Sequence, residues 1–372
     1  MVSYSEREWW IDYAKVIGIF LVVFIHLIRA IDFSNMDINA EKLNLILVGN
    51  VFHMPLFFFI SGYLYKYIKP KTALKKYFKR LIIPYIFFSF IGMFIFIQYK
   101  GLYTNLETLI TTIGNLLYGM IVSDPTVTAP NGPIWFLLAL FIVIMIFSVF
   151  KTYIKDDKKL LVAIIGINVL IYILHILKIN LYFSFDSALL GISFFYVGYI
   201  SKKYNLIKYF KNNYVNISLV IVLFTLTYLE YVYNGSLGLR TGSWGGNFIL
   251  AYLGAFAGIA MIMAISSILA RFQNKAIFLI SINTLTIMGL DPILRHYFTL
   301  WSMDLGLQTI HPISNAVMTA IIILLVSVVI AQTLNKFAPV LIGNKNTFKV
   351  DNYLNYLKNH KLLKVNNKEV KK

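Results

Sequence analysis

Lys15 and His26 stand eleven positions apart in the first long apolar run of the chain. Eleven residues turn a helix by about 1,100°, some 20° beyond three whole turns, so the two side chains share one helix face. Along the axis they are roughly 16 Å apart. Asp12 and Arg29 fall near the same stripe, one turn before Lys15 and one turn after His26. An acid, an ammonium, an imidazole and a guanidinium in line are costly inside hydrocarbon, so such groups mark function by default. The imidazole is the side chain whose ordinary pKa lies nearest neutrality, which suits it to take and return a proton.

The elements that must carry this stripe are membrane helices. Of 372 residues, 59% are hydrophobic, 16% aromatic and only 13% charged, and the mean hydropathy is +0.72. This profile describes a polytopic membrane protein and excludes an ordinary soluble enzyme. The net charge of +18 sits in short connections and the tail, so it points to topology rather than to nucleic acid. The absence of cysteine removes disulfides, thiolate metal sites and a cysteine acyl-enzyme. The N-terminus does not read as a removable signal, because Glu6, Glu8 and Asp12 occupy the segment that should be basic.

Ten spans are expected, near 14–31, 45–64, 81–98, 134–150, 160–177, 183–200, 216–233, 247–270, 276–290 and 313–335. The segment 106–122, rich in Thr, Asn and Gly, reads as a re-entrant or interfacial helix. Alternate connections are basic: 65–80 with seven cations, then Lys151 to Lys159, Lys202 to Lys211, and Arg271 with Lys275. The others hold about one basic residue each, among them Lys42, Lys100, Lys178, Arg240 and Arg295. The positive-inside rule then predicts an all-α integral membrane protein with both termini cytoplasmic. Residues 1–335 form the membrane domain in this reading, and 336–372 a basic cytoplasmic tail. Asp12 and Lys15 lie at the inner end of the first helix, and His26 and Arg29 near the outer end.

Four segments carry a family resemblance. They are Asp12-Tyr-Ala-Lys15 with ten residues before His26, F-H-M-P-L-F-F-F-I-S-G-Y at 52–63, K-R-L-I-I-P-Y at 79–85, and N-G-P-I-W-F-L-L-A-L-F at 131–141. In order and spacing the chain resembles the acyltransferase-3 family of membrane O-acyltransferases, which includes sugar and polysaccharide acetylases. It departs from the family with Lys15-Val16 in place of Arg-Gly. Lys76-Tyr-Phe-Lys79 stands in place of an Arg-x-x-Arg element, and Asp291 where a second histidine commonly falls.

The resemblance implies transfer of an acetyl or other short acyl group from cytoplasmic acyl-CoA, without a metal, to a hydroxyl of an envelope polysaccharide or lipid-linked sugar. It places the protein in a bacterial plasma membrane and leaves room for a polysaccharide synthase as partner. His26 and Asp12 are the expected catalytic residues, with Asp12 orienting Lys15. Lys15, Lys76, Lys79 and Arg80 are expected to hold the acyl-CoA, although lysines at these positions also serve as topology determinants or snorkel to headgroups. Arg29, His53, Trp135 and Asp291 are the expected acceptor contacts, with Arg240 and Arg295 as further outer-face charges. His53 reads equally as a satisfied core histidine, and Trp135 as a membrane-belt residue. A transporter of a sugar or glycan intermediate is the alternative reading of the same polar stripe.

Overall fold

A computed structural model describes residues 7–31, 40–99, 105–123, 130–306 and 311–344. The fold within them is nearly all helical, and an isolated β-bridge pairs Gly238 with Ser243. Among the described residues fourteen α-helices follow in chain order. They are α1 (Trp9–Arg29), α2 (Ala40–Leu47), α3 (His53–Tyr63), α4 (Pro70–Tyr77), α5 (Ile83–Tyr99), α6 (Leu106–Val122) and α7 (Trp135–Tyr153). After them come α8 (Asp157–Ile176), α9 (Phe185–Lys203), α10 (Asn213–Asn234), α11 (Phe248–Leu269), α12 (Lys275–Ile282), α13 (Thr284–Asp304) and α14 (Pro312–Phe337). Among the described residues eight helical stretches are long and apolar enough to cross a membrane, and nine if the bent pair α12–α13 counts as one span. The protein is therefore a multi-pass membrane protein. The expected span 183–200 is α9, which lies outside that set and packs against α3, α7 and α8.

α1 is the central helix. Its apolar residues from Ile19 to Ile28 are largely buried, and it packs against α3, α11, α12, α13 and α14. Asp12 in its first turn and His26 and Arg29 in its last turn match the helix dipole. Just before it, burial would raise the Glu8 carboxyl, but hydrogen bonds from Lys202 and Tyr63 hold it below its usual value. Through that carboxyl α1 is tied to α3 and α9.

α3 and α9 approach closely because both are glycine-bearing at the contact. A Cβ on Gly62 would lie 1.9 Å from the Phe195 carbonyl oxygen, and one on Gly198 would lie 2.0 Å from that of Phe59. Small residues at facing positions are what bring membrane helices into backbone contact. The S-G step of the 52–63 motif is thus a packing device.

Two interruptions matter for the site. Between α4 and α5 the chain widens into a π-turn at Phe78–Ile82, which changes the direction of Lys79 and Arg80 relative to a regular helix. The expected straight span 276–290 instead breaks at Asn283, where α12 and α13 meet at 80°. The Asn283 amide donates to the Leu279 carbonyl at 2.7 Å, a local side-chain bond that competes with helix propagation. The segment 106–122 forms the 17-residue α6. It is held at its end by the Tyr85 hydroxyl on the Met120 carbonyl (2.5 Å) and by Ser123 on Ser184 (2.8 Å). Most of the expected basic tail, residues 345–372, lies outside the described residues; Lys336 is the last-turn cation of α14.

Candidate functional site

His26 sits in the last turn of α1, and its Nδ1 lies 2.8 Å from Oδ2 of Asp291 on α13. A carboxylate accepts, so Nδ1 carries the proton and Nε2 keeps the lone pair. Asp291 is completely buried, whereas a quarter of the His26 side chain is exposed. One turn along α13, Arg295 Nε lies 3.6 Å from the other Asp291 oxygen. The Asp291 carboxylate and the Arg295 guanidinium thus offset one another's charge in an apolar bundle, where an unpaired charge costs several kcal/mol. An acid behind Nδ1 orients the ring and stabilises the imidazolium that forms when Nε2 takes a proton.

Local structure fixes the acid. Asn131, in the loop before α7, is buried and donates to the carbonyls of Phe88 (3.2 Å) and Gly289 (2.9 Å). A Cβ on Gly289 would lie 2.4 Å from the Phe88 ring. These contacts seat α13 against α5 two residues before Asp291. Pro292 follows, and its missing N–H deprives the Met288 carbonyl of its helical donor.

His26 faces a cavity of about 500 Å³. Arg29, His53, Trp135, Arg240, Met288 and Arg295 also line it, with Asn50 and the backbone of Gly132 and Pro133. His53 Nδ1 donates to the Gly49 carbonyl at 2.9 Å, which again leaves Nε2 as the ring nitrogen without a backbone partner. Trp135 is buried and packs edge-on against Phe136, their centroids 6.2 Å apart. It is therefore a wall of the cavity and not a lipid-facing belt residue. Arg240 arrives on the loop 235–247, which Asn234 folds. The Asn234 amide donates to the carbonyls of Trp244 and Asn247, each at 3.2 Å, and its oxygen accepts from the Asn247 N–H at 2.6 Å.

Lys15 faces a second cavity, of about 190 Å³. Ser61, Tyr65, Tyr77, Arg80, Thr284 and Met288 line it with an apolar wall from Phe57, Phe136 and Leu140. Among the described residues Met288 is the one in the lining of both cavities. Of the three residues expected beside Lys15 for acyl-CoA, Arg80 reaches this cavity; Lys76 lies over the Tyr77 ring, and Lys79 is exposed outside the lining.

Asp12 is not brought to His26. On α1 the two are about 21 Å apart, and Asp12 is buried in a bidentate pair with Arg7 (2.5 and 2.6 Å) and accepts from the Ser281 hydroxyl at 2.5 Å. Its oxygens go to Arg7 and Ser281 rather than to Lys15, so it clasps α1 to α12. Arg7 and Ser281 give no sequence signal for this, being an isolated cation and a serine within an apolar helix. Asn131 had one, as the first residue of the N-G-P-I-W segment. Asp291, expected as an acceptor contact, is instead the partner of the histidine.

The Lys15-to-His26 stripe, the 52–63 packing device and the N-G-P-I-W turn now stand in one arrangement around two adjoining cavities. A family model described as an acyltransferase domain matches residues 8–332, which contain every one of these elements. The chain belongs to the acyltransferase-3 family. As an acyltransferase-3 protein it is a membrane acyltransferase, and its family implies an acyl donor. No curated protein and no solved structure matches it.

Proposed function

We propose that this acyltransferase-3 protein transfers an acetyl or other short acyl group from acyl-CoA to a carbohydrate hydroxyl, with His26 as general base. The observation that carries the proposal is the buried-acid-backed histidine in the wall of one cavity, with a second, cationic cavity meeting the first at Met288. With both termini cytoplasmic, as the loop charges indicate, the Lys15 cavity opens toward cytoplasmic acyl-CoA and the His26 cavity toward the outer surface. A volume of about 190 Å³ is below the ~300–1,000 Å³ of sites for drug-sized ligands. It suits the thin acyl-pantetheine end, leaving the nucleotide outside, where Arg80 and the exposed Lys79 offer charge to its phosphates.

The acceptor hydroxyl then approaches Nε2 of His26. As Nε2 takes the proton, the oxygen attacks the thioester carbonyl, and the tetrahedral intermediate expels the thiolate, which takes the proton back from the imidazolium. Asp291 holds that imidazolium in place throughout. The acceptor in this reading is an envelope polysaccharide or a lipid-linked sugar at a bacterial plasma membrane, with a polysaccharide synthase as the partner that supplies it.

The test is transfer of radiolabelled acetyl from acetyl-CoA to oligosaccharide by the purified chain in nanodiscs. Mass spectrometry of envelope glycans with and without the gene gives the matching measurement in cells. Label transfer that disappears in His26→Ala is the expected result. Unchanged glycan acylation in the deletion strain, together with no transfer by the pure protein, would sink the reading.

A further inference from the structure

Glu230 is an acid that the proposed reaction leaves unused. It lies in the last turns of α10, a helix long and apolar enough to cross a membrane, where a carboxyl is costly and marks function by default. Its Oε1 accepts from the Asn234 amide at 2.9 Å, and its Oε2 is buried without a hydrogen-bond partner. The neighbouring helix makes room for it. A Cβ on Gly254 of α11 would lie 2.4 Å from Oε2 and 2.6 Å from the Glu230 Cγ. The carboxyl is thus wedged between a glycine and an asparagine, and the cost of burying it is carried for the bond to Asn234.

Asn234 is the knot that ties the loop 235–247 to the bundle. Its Nδ2 also donates to the carbonyls of Trp244 and Asn247, each at 3.2 Å, and its Oδ1 accepts from the Asn247 N–H at 2.6 Å. Its own carbonyl accepts from the Gly246 N–H at 2.8 Å. Gly245 passes so close, at φ +67°, that a Cβ there would lie 1.7 Å from that carbonyl oxygen. Three acceptors therefore share the two hydrogens of one amide, and Glu230 is the nearest of them. A carboxyl oxygen on this edge of the amide fixes which way the Asn234 side chain faces, and with it the return of the chain from Trp244 to Asn247. Between its ends the loop is held together, with Leu237 and Leu239 buried and Gly238 paired with Ser243. A displacement at the knot moves the segment as a unit, including residues 236–241 and Ser243, which line the His26 cavity.

We infer that Glu230 is a positioning residue, which acts through Asn234 to set the loop 235–247 as a wall of the His26 cavity and so to hold the acceptor there. The role toward the acceptor rests on the acyltransferase reading; the hold on the loop does not. Glu230 itself lies outside the lining of both cavities.

The experiment compares the full chain in nanodiscs as wild type, Glu230→Leu and Glu230→Gln. Leucine suits a membrane helix, so the first variant removes the bond without burdening the fold, while glutamine keeps an oxygen for the Asn234 amide. The readouts are hydrogen exchange of backbone amides and steady-state transfer from acetyl-CoA to a glucose tetrasaccharide. In Glu230→Leu the amides of Gly246 and Asn247 should exchange about tenfold faster, roughly what one hydrogen bond supplies, with peptides from α1 and α9 unchanged. The KM for the tetrasaccharide should rise about tenfold while the KM for acetyl-CoA stays as it was. Glu230→Gln should restore both. Unchanged exchange in the loop would overturn the inference, as would faster exchange spread over the whole chain, which marks a structural role only. Faster loop exchange with both KM values unchanged would detach the loop from the acceptor and overturn it too. Failure of Glu230→Gln to restore either readout would show that the bond to Asn234 is not the means. Loop exchange that depends on Glu230, in a chain that transfers nothing to the tetrasaccharide, would keep the hold on the loop and count against the acyltransferase reading.

Discussion

The two cavities draw on the same four helices, α1, α3, α7 and α13, but among the described residues they share one side chain, Met288. The Lys15 cavity is small, about 190 Å³, and mostly apolar, with two cations beside Ser61 and Thr284. The His26 cavity is about 500 Å³ and lined by three arginines, two histidines and a tryptophan. The same helix face supplies one cation to the first and a histidine and an arginine to the second, so the stripe alone does not make them different. The difference comes from what is packed opposite. The π-turn and α7 bring Arg80 and a set of apolar side chains to one; the loop 235–247 brings Arg240 and α13 brings Arg295 to the other, with Asp291 bonded to His26. In the proposed reaction, the site that accepts the acyl end and the site that orients the sugar are built by different neighbours on one scaffold.

The contrast can be broken most severely at the acid. Asp291→Asn should lower kcat about 10²-fold or more, because the ring loses the partner that sets its tautomer and stabilises the imidazolium. Arg80→Gln, on the other cavity, should raise the KM for acyl-CoA with kcat nearly unchanged. Steady-state kinetics with acyl-CoA varied at saturating acceptor checks both; the same kcat loss in each variant would show that the two cavities do not divide the labour.

A second cut falls at the boundary. Met288 is buried and lines both cavities, so Met288→Trp should lower kcat/KM by about 10²-fold through misplacement of the reacting groups. Met288→Ala should instead raise the rate with longer acyl donors relative to acetyl. Because the chain has no cysteine, Met288→Cys also offers a unique label site. It should react with membrane-impermeant thiol reagents added on either side, and labelling from one side alone would contradict a shared wall.

The clasp at the start of α1 belongs to neither cavity. Asp12→Ala leaves Arg7 without its carboxylate partner and should destabilise the fold by about 3 kcal/mol, read as a lower thermal midpoint in detergent. Turnover per folded molecule should stay close to wild type. A selective loss of turnover at unchanged stability would return Asp12 to the reaction.

Much of the architecture was legible in local pattern. Apolar runs marked each expected span, and each of them coincides with helix in the structure. The 80° break escaped, because a side chain bonding back at Asn283 leaves the apolar pattern untouched. At the site, the placement of Lys15 and His26 on one face followed from an eleven-residue spacing, and both line cavities as that face predicts. Asp12 shows the limit of the same reasoning. It lies near the stripe, yet its carboxylate is used by Arg7 and Ser281.

By itself, then, the chain determined that it is a helical membrane protein of the acyltransferase-3 family, and that one helix carries an ammonium and an imidazole in line. These are consequences of composition and of the 3.6-residue period, which act over a few turns. Only the tertiary structure decided that His26 is backed by Asp291, 265 positions away, that Arg240 and Arg295 join Arg29 around it, and that Met288 divides two cavities. The physical reason is distance along the chain. Helix period constrains neighbours three or four residues apart, whereas a hydrogen bond between α1 and α13 depends on close packing across the bundle, on a glycine seated against Phe88 and on an asparagine holding the turn before α7.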